Sequence, residues 1–123
     1  MREPSVPAWF EIPSTDFDRA RRFYEQLLDT SLKVEGMRMK MAIFPAGQNQ
    51  PTGAILEPGP QSAPASQGTV IYLNLKDIRP ALARVDGAGG AVLVPLTELP
   101  GDMGVFAQIR DTEGNRVGLY SRN

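Results

Sequence analysis

The sequence predicts one α+β domain made of two similar halves, each with the element order βαβββ. A chain of 123 residues with 41% hydrophobic side chains is long enough for one domain with its own core. An alternating strand-like segment leads into a capped helical stripe, and three further short strand-like segments follow. This order restarts with an offset of 61 residues, the spacing between Asp16 and Asp77. Similarity at a fixed period indicates a duplicated unit.

The first half begins with the alternating segment Trp9–Pro13, which predicts a strand. Asp16 then serves as the N-cap of a helix that runs to about Leu28. Apolar residues at three- and four-residue spacing give this helix one buried stripe, formed by Phe17, Ala20, Phe23, Tyr24, Leu27 and Leu28. The charged residues from Arg19 to Arg22 are therefore predicted to face solvent. Three further strands complete the half, over 31–35, 37–44 and 53–57.

The second half repeats these elements. Residues 70–75 alternate as a strand, and Asp77 caps a helix that the glycines of 87–90 end. Three strands follow, over 91–95, 104–110 and 116–120. The whole chain, 1–123, is predicted to be a single domain, with a first module at about 7–58, a linker at about 59–68 and a second module at about 69–121.

Composition excludes several functions. The chain has no cysteine and no histidine, which removes disulfides, zinc thiolates, thiol nucleophiles, Ser-His-Asp triads and histidine-bound iron. A formal net charge of −1 gives no basic field, so we expect no nucleic-acid partner and no membrane partner. The first residues carry no hydrophobic stretch, so we expect no signal peptide and a cytoplasmic location.

Each half carries an ordered set of motifs. The first set is Trp-Phe-Glu-Ile-Pro, Asp16, Arg19-Ala20 and Phe23-Tyr24. The second set lies in the segments 70–77, 89–90 and 111–119. Together they resemble the two modules of the vicinal oxygen chelate superfamily, which includes glyoxalase I, bleomycin-resistance proteins and extradiol dioxygenases. The resemblance implies a glyoxalase-like sheet cleft, because in that family one face of each sheet packs on a helix and the other lines a cleft. Alternation then assigns eight residues to the cleft: Trp9, Glu11, Val70, Tyr72, Asn74, Arg116, Gly118 and Tyr120.

The positions of the family's metal ligands carry the wrong side chains in this sequence. Three of those positions fall on Trp9, Val70 and Gly118, none of which can bind a divalent cation through its side chain. The fourth lies near Glu57. The resemblance combined with these residues predicts no metal site of the usual kind and no cofactor. An oxygen-ligated Mg²⁺ or Ca²⁺ site using Glu11 or Glu57 stays open.

Glu11 is the candidate catalytic residue, since a carboxylate in a cleft can act as a general base. The alternative is a structural carboxylate that pairs with an arginine or accepts a hydrogen bond from Tyr72 or Asn74. The candidate ligand-binding residues are Trp9, Glu11, Tyr72, Asn74 and Tyr120, whose aromatic rings suit flat or cationic ligands. The same rings could instead fill the centre of the domain or of a dimer.

Three functional hypotheses follow. The first is a small-molecule-binding protein that resembles the bleomycin-resistance proteins and lacks the metal. The second is a lyase, an isomerase or a dioxygenase-like enzyme that uses Glu11 or an unusual metal site. The third is a dimeric accessory domain whose cleft is packed shut by Trp9 and Tyr72. The expected partners are a small organic ligand and, because sheet edges and cleft surfaces favour pairing, a second copy of the chain in a homodimer.

Overall fold

The computed structural model describes residues 6–36, 39–48, 50–60 and 62–123. The first half contains strand β1 (Trp9–Ile12), helix α1 (Phe17–Leu28) and strands β2 (Lys33–Gly36), β3 (Lys40–Ile43) and β4 (Thr52–Leu56). The second contains β5 (Tyr72–Leu75), α2 (Ile78–Ala88), β6 (Ala91–Glu98), β7 (Val105–Arg110) and β8 (Arg116–Ser121). The predicted α+β class and the two βαβββ halves are confirmed. The extent of the single domain and the module boundaries stay predictions.

Each half forms its own four-stranded sheet with the same topology. The first sheet has the order β1-β4-β3-β2 and the second has the order β5-β8-β7-β6. In both, the strand before the helix pairs in parallel with the last strand of the half, and the other pairs are antiparallel. The predicted strand over 37–44 is shorter in the structure, where β3 begins at Lys40, and its first two residues, Met37 and Arg38, lie outside the described residues.

Both helices begin where the sequence predicts. Asp16 precedes α1 in an extended conformation and its side chain accepts a hydrogen bond from the backbone N–H of Arg19. Asp77 does the same for α2 through the N–H of Arg79. Helix α2 ends at Gly89, whose φ of 107° is a left-handed conformation that favours glycine. Local capping therefore fixes the start of both helices and the end of α2.

The core lies between the helices and one face of each sheet. Helix α1 buries Phe17, Ala20, Phe23, Tyr24 and Leu27, and α2 buries Ile78, Ala81 and Val85. The two helices also pack against each other, and Arg84 of α2 donates two hydrogen bonds to the carbonyl of Leu27 at the C-terminal end of α1. Within the described residues, neither helix is long and apolar enough to cross a membrane.

The turn between β7 and β8, residues 111–115, joins the two halves. The hydroxyl of Tyr24 donates a hydrogen bond of 2.6 Å to the buried carboxylate of Asp111. Asn115 donates to the carbonyl of Pro13, just after β1. Burial and the negative charge of Asp111 raise the pKa of Tyr24 well above 10.0. The turn of the second half therefore contacts the helix of the first half directly.

Glu113 is the main polar link in this turn. Its carboxylate accepts six hydrogen bonds, from the backbone N–H and hydroxyl of Thr15, the N–H of Asp16, two nitrogens of Arg19 and the hydroxyl of Thr112. Burial opposes ionisation of Glu113, but its hydrogen bonds outweigh burial and lower its pKa to about 2. Arg19 is exposed, as predicted, and it also forms an ion pair of 2.9 Å with Glu113 that the sequence did not indicate.

Candidate functional site

Trp9 and Glu11 lie together on the open face of the first sheet, the face turned away from α1. They alternate along β1 with Phe10 and Ile12, which pack toward the core. The indole N–H of Trp9 donates a hydrogen bond of 3.2 Å to the carboxylate of Glu11. Trp9 is 41% exposed and Glu11 is also exposed. A large ring and a carboxylate are thus both available on this face.

Tyr72 lies on the open face of the second sheet, directly over Gly118. A Cβ atom built on Gly118 would lie 2.2 Å from a carbon of the Tyr72 ring, so the ring occupies the space that a side chain at this position would need. The ring also meets Phe106 edge-on at 6.1 Å between centroids. The Tyr72 hydroxyl accepts a hydrogen bond of 2.7 Å from Gln108, and Tyr72 remains 43% exposed.

Asn74 and Tyr120 are neighbours in the ladder between β5 and β8 and share the open face with Tyr72. Asn74 is exposed and Tyr120 is half-buried. The hydroxyl of Tyr120 donates a hydrogen bond of 2.6 Å to the carbonyl of Met103, in the loop between β6 and β7. Because this bond uses the hydroxyl proton, Tyr120 presents mainly its ring to a ligand.

The five candidate residues therefore form two groups. Among the described residues, no hydrogen bond, ion pair or ring contact joins the pair on β1 to the three residues on β5 and β8. The expected structural partners of Glu11, an arginine, Tyr72 or Asn74, are wrong, because the partner is Trp9 on the same strand. The carboxylate of Glu11 is exposed and is not enclosed in a cleft.

A groove of about 930 Å³ separates the two halves along the free edge of β5. It is mainly apolar. Its lining includes Phe10 of β1, the C-terminal end of α1 with the two residues after it (28–30), the segments 44–45 and 50–52 that lead into β4, and the segment 70–75. Tyr72 and Asn74 line it, whereas Trp9, Glu11 and Tyr120 do not. The volume falls within the range of about 300–1,000 Å³ that small-molecule sites usually have.

The residues present do not fit the metal that the family resemblance implies. Val70 and Gly118 have no ligating side chain, and the ring of Tyr72 covers Gly118. Within the part of the chain that the structure describes, no three Asp or Glu side chains come close enough to hold an ion. Glu57, the carboxylate near the fourth expected ligand position, accepts a hydrogen bond of 2.7 Å from the backbone N–H of Lys40. We therefore derive no chemical step through a metal.

Gln108 is a site residue that the sequence reasoning missed. Its amide joins Tyr72 to Arg116 through two hydrogen bonds of 2.7 Å. The signal was available, since alternation along β7 places Gln108 on the same face as Phe106. Arg116, predicted to face the cleft, does lie on this face beside Gln108.

Comparisons with known proteins agree with this architecture. The family model of the glyoxalase/bleomycin resistance protein/dioxygenase superfamily matches residues 7–119. A search of curated proteins gave no match. Among solved structures, a hypothetical protein from S. aureus is 24% identical with a TM-score of 0.66, over 92% of this chain and 94% of that one.

Two further structures have the same fold and bear more specific names. TnmS3, an antibiotic binding protein from Streptomyces sp. CB03234, is 21% identical with a TM-score of 0.65, over 93% of each chain. Glyoxalase I from Zea mays is 20% identical with a TM-score of 0.69, over 94% of this chain and 45% of the maize enzyme. This chain thus spans about half of that enzyme. Taken with the family match over residues 7–119, the sequence and the fold show that the chain belongs to the glyoxalase/bleomycin resistance protein/dioxygenase superfamily.

Proposed function

We propose that this protein binds a small, flat organic ligand through the open faces of its two sheets, without a metal ion. The observation that carries the proposal is the exposure of Trp9 and Tyr72, at 41% and 43%, on the faces turned away from the helices. Large aromatic rings offer apolar area and stacking surface to a ligand. Because neither ring is packed away, the structure supports an open binding face over a cleft that is packed shut.

The comparison with TnmS3 supports the same proposal. That protein is named for antibiotic binding, and the two chains match over 93% of each. Glyoxalase I of maize supports the enzymatic alternative less well, because the positions of the expected metal ligands here carry Trp9, Val70 and Gly118. The enzymatic alternative keeps one favourable observation, the exposed carboxylate of Glu11 beside the Trp9 ring.

Metal independence can be measured directly. We expect the purified protein to contain no stoichiometric transition metal, because the chain offers neither histidine nor cysteine and its three mapped positions cannot ligate. Elemental analysis by mass spectrometry checks this expectation. About one zinc, nickel or iron ion per chain that survives dialysis would contradict the proposal.

We further propose that two copies of the chain form a homodimer. Strands β1 and β5 each pair on one side only, with β4 and β8, so each sheet presents a free edge to the groove between the halves. A second copy that approached this region would cover the free edges of β1 and β5. Sedimentation velocity at micromolar concentration is expected to give a dimer, and a monomer throughout would contradict this. The cytoplasmic location stays a prediction.

The binding proposal can be tested with Trp9, the one tryptophan of the sequence. N-phenyl-1-naphthylamine is an uncharged aromatic probe that absorbs where tryptophan emits, so its binding near Trp9 should quench the protein's emission. We expect Trp9→Ala to weaken probe binding by about three- to tenfold, read from the probe's own emission, since aromatic contacts contribute about 0.5–1.5 kcal/mol beyond the area they bury.

The matched control is Val34→Ala. Val34 is an exposed apolar residue of β2 at 48%, and its register with Ala42 places it on the face opposite to Trp9. The control should bind the probe like the wild type. If both variants retain wild-type affinity, the open face of the first sheet does not bind the probe, and the proposal fails.

A further inference from the structure

Two arginines lie opposite each other at one end of the second sheet. Arg110 ends β7, Arg116 begins β8, and the two are antiparallel partners in register. Alternation with Gln108 on one strand and with Gly118 on the other places both arginines on the open face that carries Tyr72. Like charges directly opposite each other in a ladder destabilise a sheet, so this placement calls for a compensating anion.

No carboxylate of the described residues supplies that compensation. Neither arginine forms an ion pair within the described part of the chain, where the pairs involve other basic residues. No acidic residue occupies the ladder positions of β5, β7 and β8 that share this face with the arginines. Those positions hold Tyr72, Asn74, Phe106, Gln108, Gly118 and Tyr120. The chain as a whole has 14 acidic and 13 basic residues, so carboxylates are not scarce.

Arg116 is held in place next to the aromatic ring. Its Nη1 donates a hydrogen bond of 2.7 Å to the side-chain oxygen of Gln108, and its Nε donates one of 3.2 Å to the carbonyl of Ser66. The amide nitrogen of Gln108 in turn donates to the hydroxyl of Tyr72. All the partners of this guanidinium are neutral, and Nη2 makes no hydrogen bond within the described residues. A fixed guanidinium with free donors suits the planar geometry of a carboxylate or the oxygens of a sulfonate or phosphate.

We propose that Arg110 and Arg116 bind the anionic group of an aromatic ligand whose ring packs against Tyr72. The inference rests on the proposed binding function and narrows the ligand to flat molecules that carry a carboxylate, sulfonate or phosphate. Gly118, which has no side chain, lets the Tyr72 ring lie flat on the sheet between the ligand's ring and the backbone. Arginine remains charged at every physiological pH, so recognition of the anion does not require protonation of the protein.

Two probes that differ by one group test the inference. 8-Anilinonaphthalene-1-sulfonate is the uncharged N-phenyl-1-naphthylamine with a sulfonate added. Arg110→Gln is the cleaner variant, because the Arg110 side chain makes no hydrogen bond within the described residues. We expect Arg110→Gln and Arg116→Gln each to weaken binding of the sulfonate probe by about tenfold, since hydrogen bonds to charged groups are the stronger ones. Binding of the uncharged probe should change less than about twofold.

Arg22→Gln serves as the control, because Arg22 is an exposed residue of α1 far in sequence from both strands. The Arg22→Gln variant should bind both probes with the affinity of the wild type. Circular dichroism confirms that each variant is folded. Equal losses for the two probes, or no loss for the sulfonate probe, overturn the arginine assignment while the binding function stands. Failure of the wild type to bind either probe overturns the binding function and the assignment with it.

Discussion

Replacement of Glu113 by glutamine should destabilise the protein more than the same replacement at any exposed glutamate. The Glu113 side chain is fully buried and accepts six hydrogen bonds, five from three residues around the start of α1 and one from its neighbour Thr112. Glutamine keeps one carbonyl oxygen but puts an NH₂ group where the second oxygen was. That group would face donors of Arg19 or of the backbone, so at least two of the bonds are lost.

The magnitude follows from the pKa of Glu113. Its ordinary value is 4.5 and the folded protein lowers it to about 2. At about 1.36 kcal/mol per pH unit, this difference corresponds to about 3 kcal/mol of preferential stabilisation of the charged form. The Arg19 side chain is 46% exposed, so solvent screens part of that interaction. We therefore expect Glu113→Gln to lower the free energy of unfolding at pH 7 by about 2 kcal/mol.

The assay is urea unfolding followed by circular dichroism at pH 7 and at pH 3. A carboxylate whose folded pKa is depressed stabilises the protein above its unfolded pKa, and that stabilisation is lost as the pH falls from about 4.5 towards about 2. The gap between wild type and variant should thus shrink to about half by pH 3. Glu98→Gln, at an exposed position of β6, is the control. A gap below about 0.5 kcal/mol at pH 7, or one that does not narrow at pH 3, would refute the reasoning.

Three further variants and one control variant test the packing of the two halves, a close backbone contact and the placement of Glu11. Tyr24→Phe removes the hydrogen bond of 2.6 Å to Asp111 and should lower the free energy of unfolding, measured in urea, by about 1–3 kcal/mol. An unchanged free energy of unfolding would contradict a structural role for the 111–115 turn. Gly53→Ala would bring a Cβ within 2.4 Å of a backbone oxygen of β1 and should cost about 2 kcal/mol or more, whereas Gly36→Ala, with nothing within 4 Å, should change stability by less than about 1 kcal/mol. Glu11→Gln should leave the free energy of unfolding within about 0.5 kcal/mol of the wild type, because the carboxylate is exposed. A weaker affinity for N-phenyl-1-naphthylamine would then assign Glu11 to the binding face, whereas a large loss of stability would contradict its exposed placement.

The fold was predictable because its signals are local. The bounds Phe17–Leu28 of α1 match the prediction, since the cap at Asp16 and the apolar stripe are both readable within one stretch of sequence. Strand β5 is shorter than predicted and begins at Tyr72, because the register with β8 covers only 72–75, although the carbonyl of Ile71 still accepts a hydrogen bond from the N–H of Gly118. Periodicity reports the preference of a segment, whereas pairing decides where a strand begins.

The site was predictable only in part, because its contacts are remote in sequence. Alternation correctly separated Trp9 and Glu11 from their core-facing neighbours. It could not show that the partner of Arg19 is Glu113, 94 residues away, nor that Gln108 links Tyr72 to the start of β8. Such contacts depend on how the two halves pack and on which side chains meet across strands, and local sequence patterns contain neither.

The most direct test of the central claim is the affinity of the protein for N-phenyl-1-naphthylamine after exhaustive treatment with a chelator. Because aromatic rings and not a metal ion form the proposed binding face, we expect the same dissociation constant for the probe before and after chelation. The probe should quench Trp9 emission in the untreated and in the chelator-treated protein. Loss of binding on chelation, with recovery when a divalent metal is added back, would contradict the account.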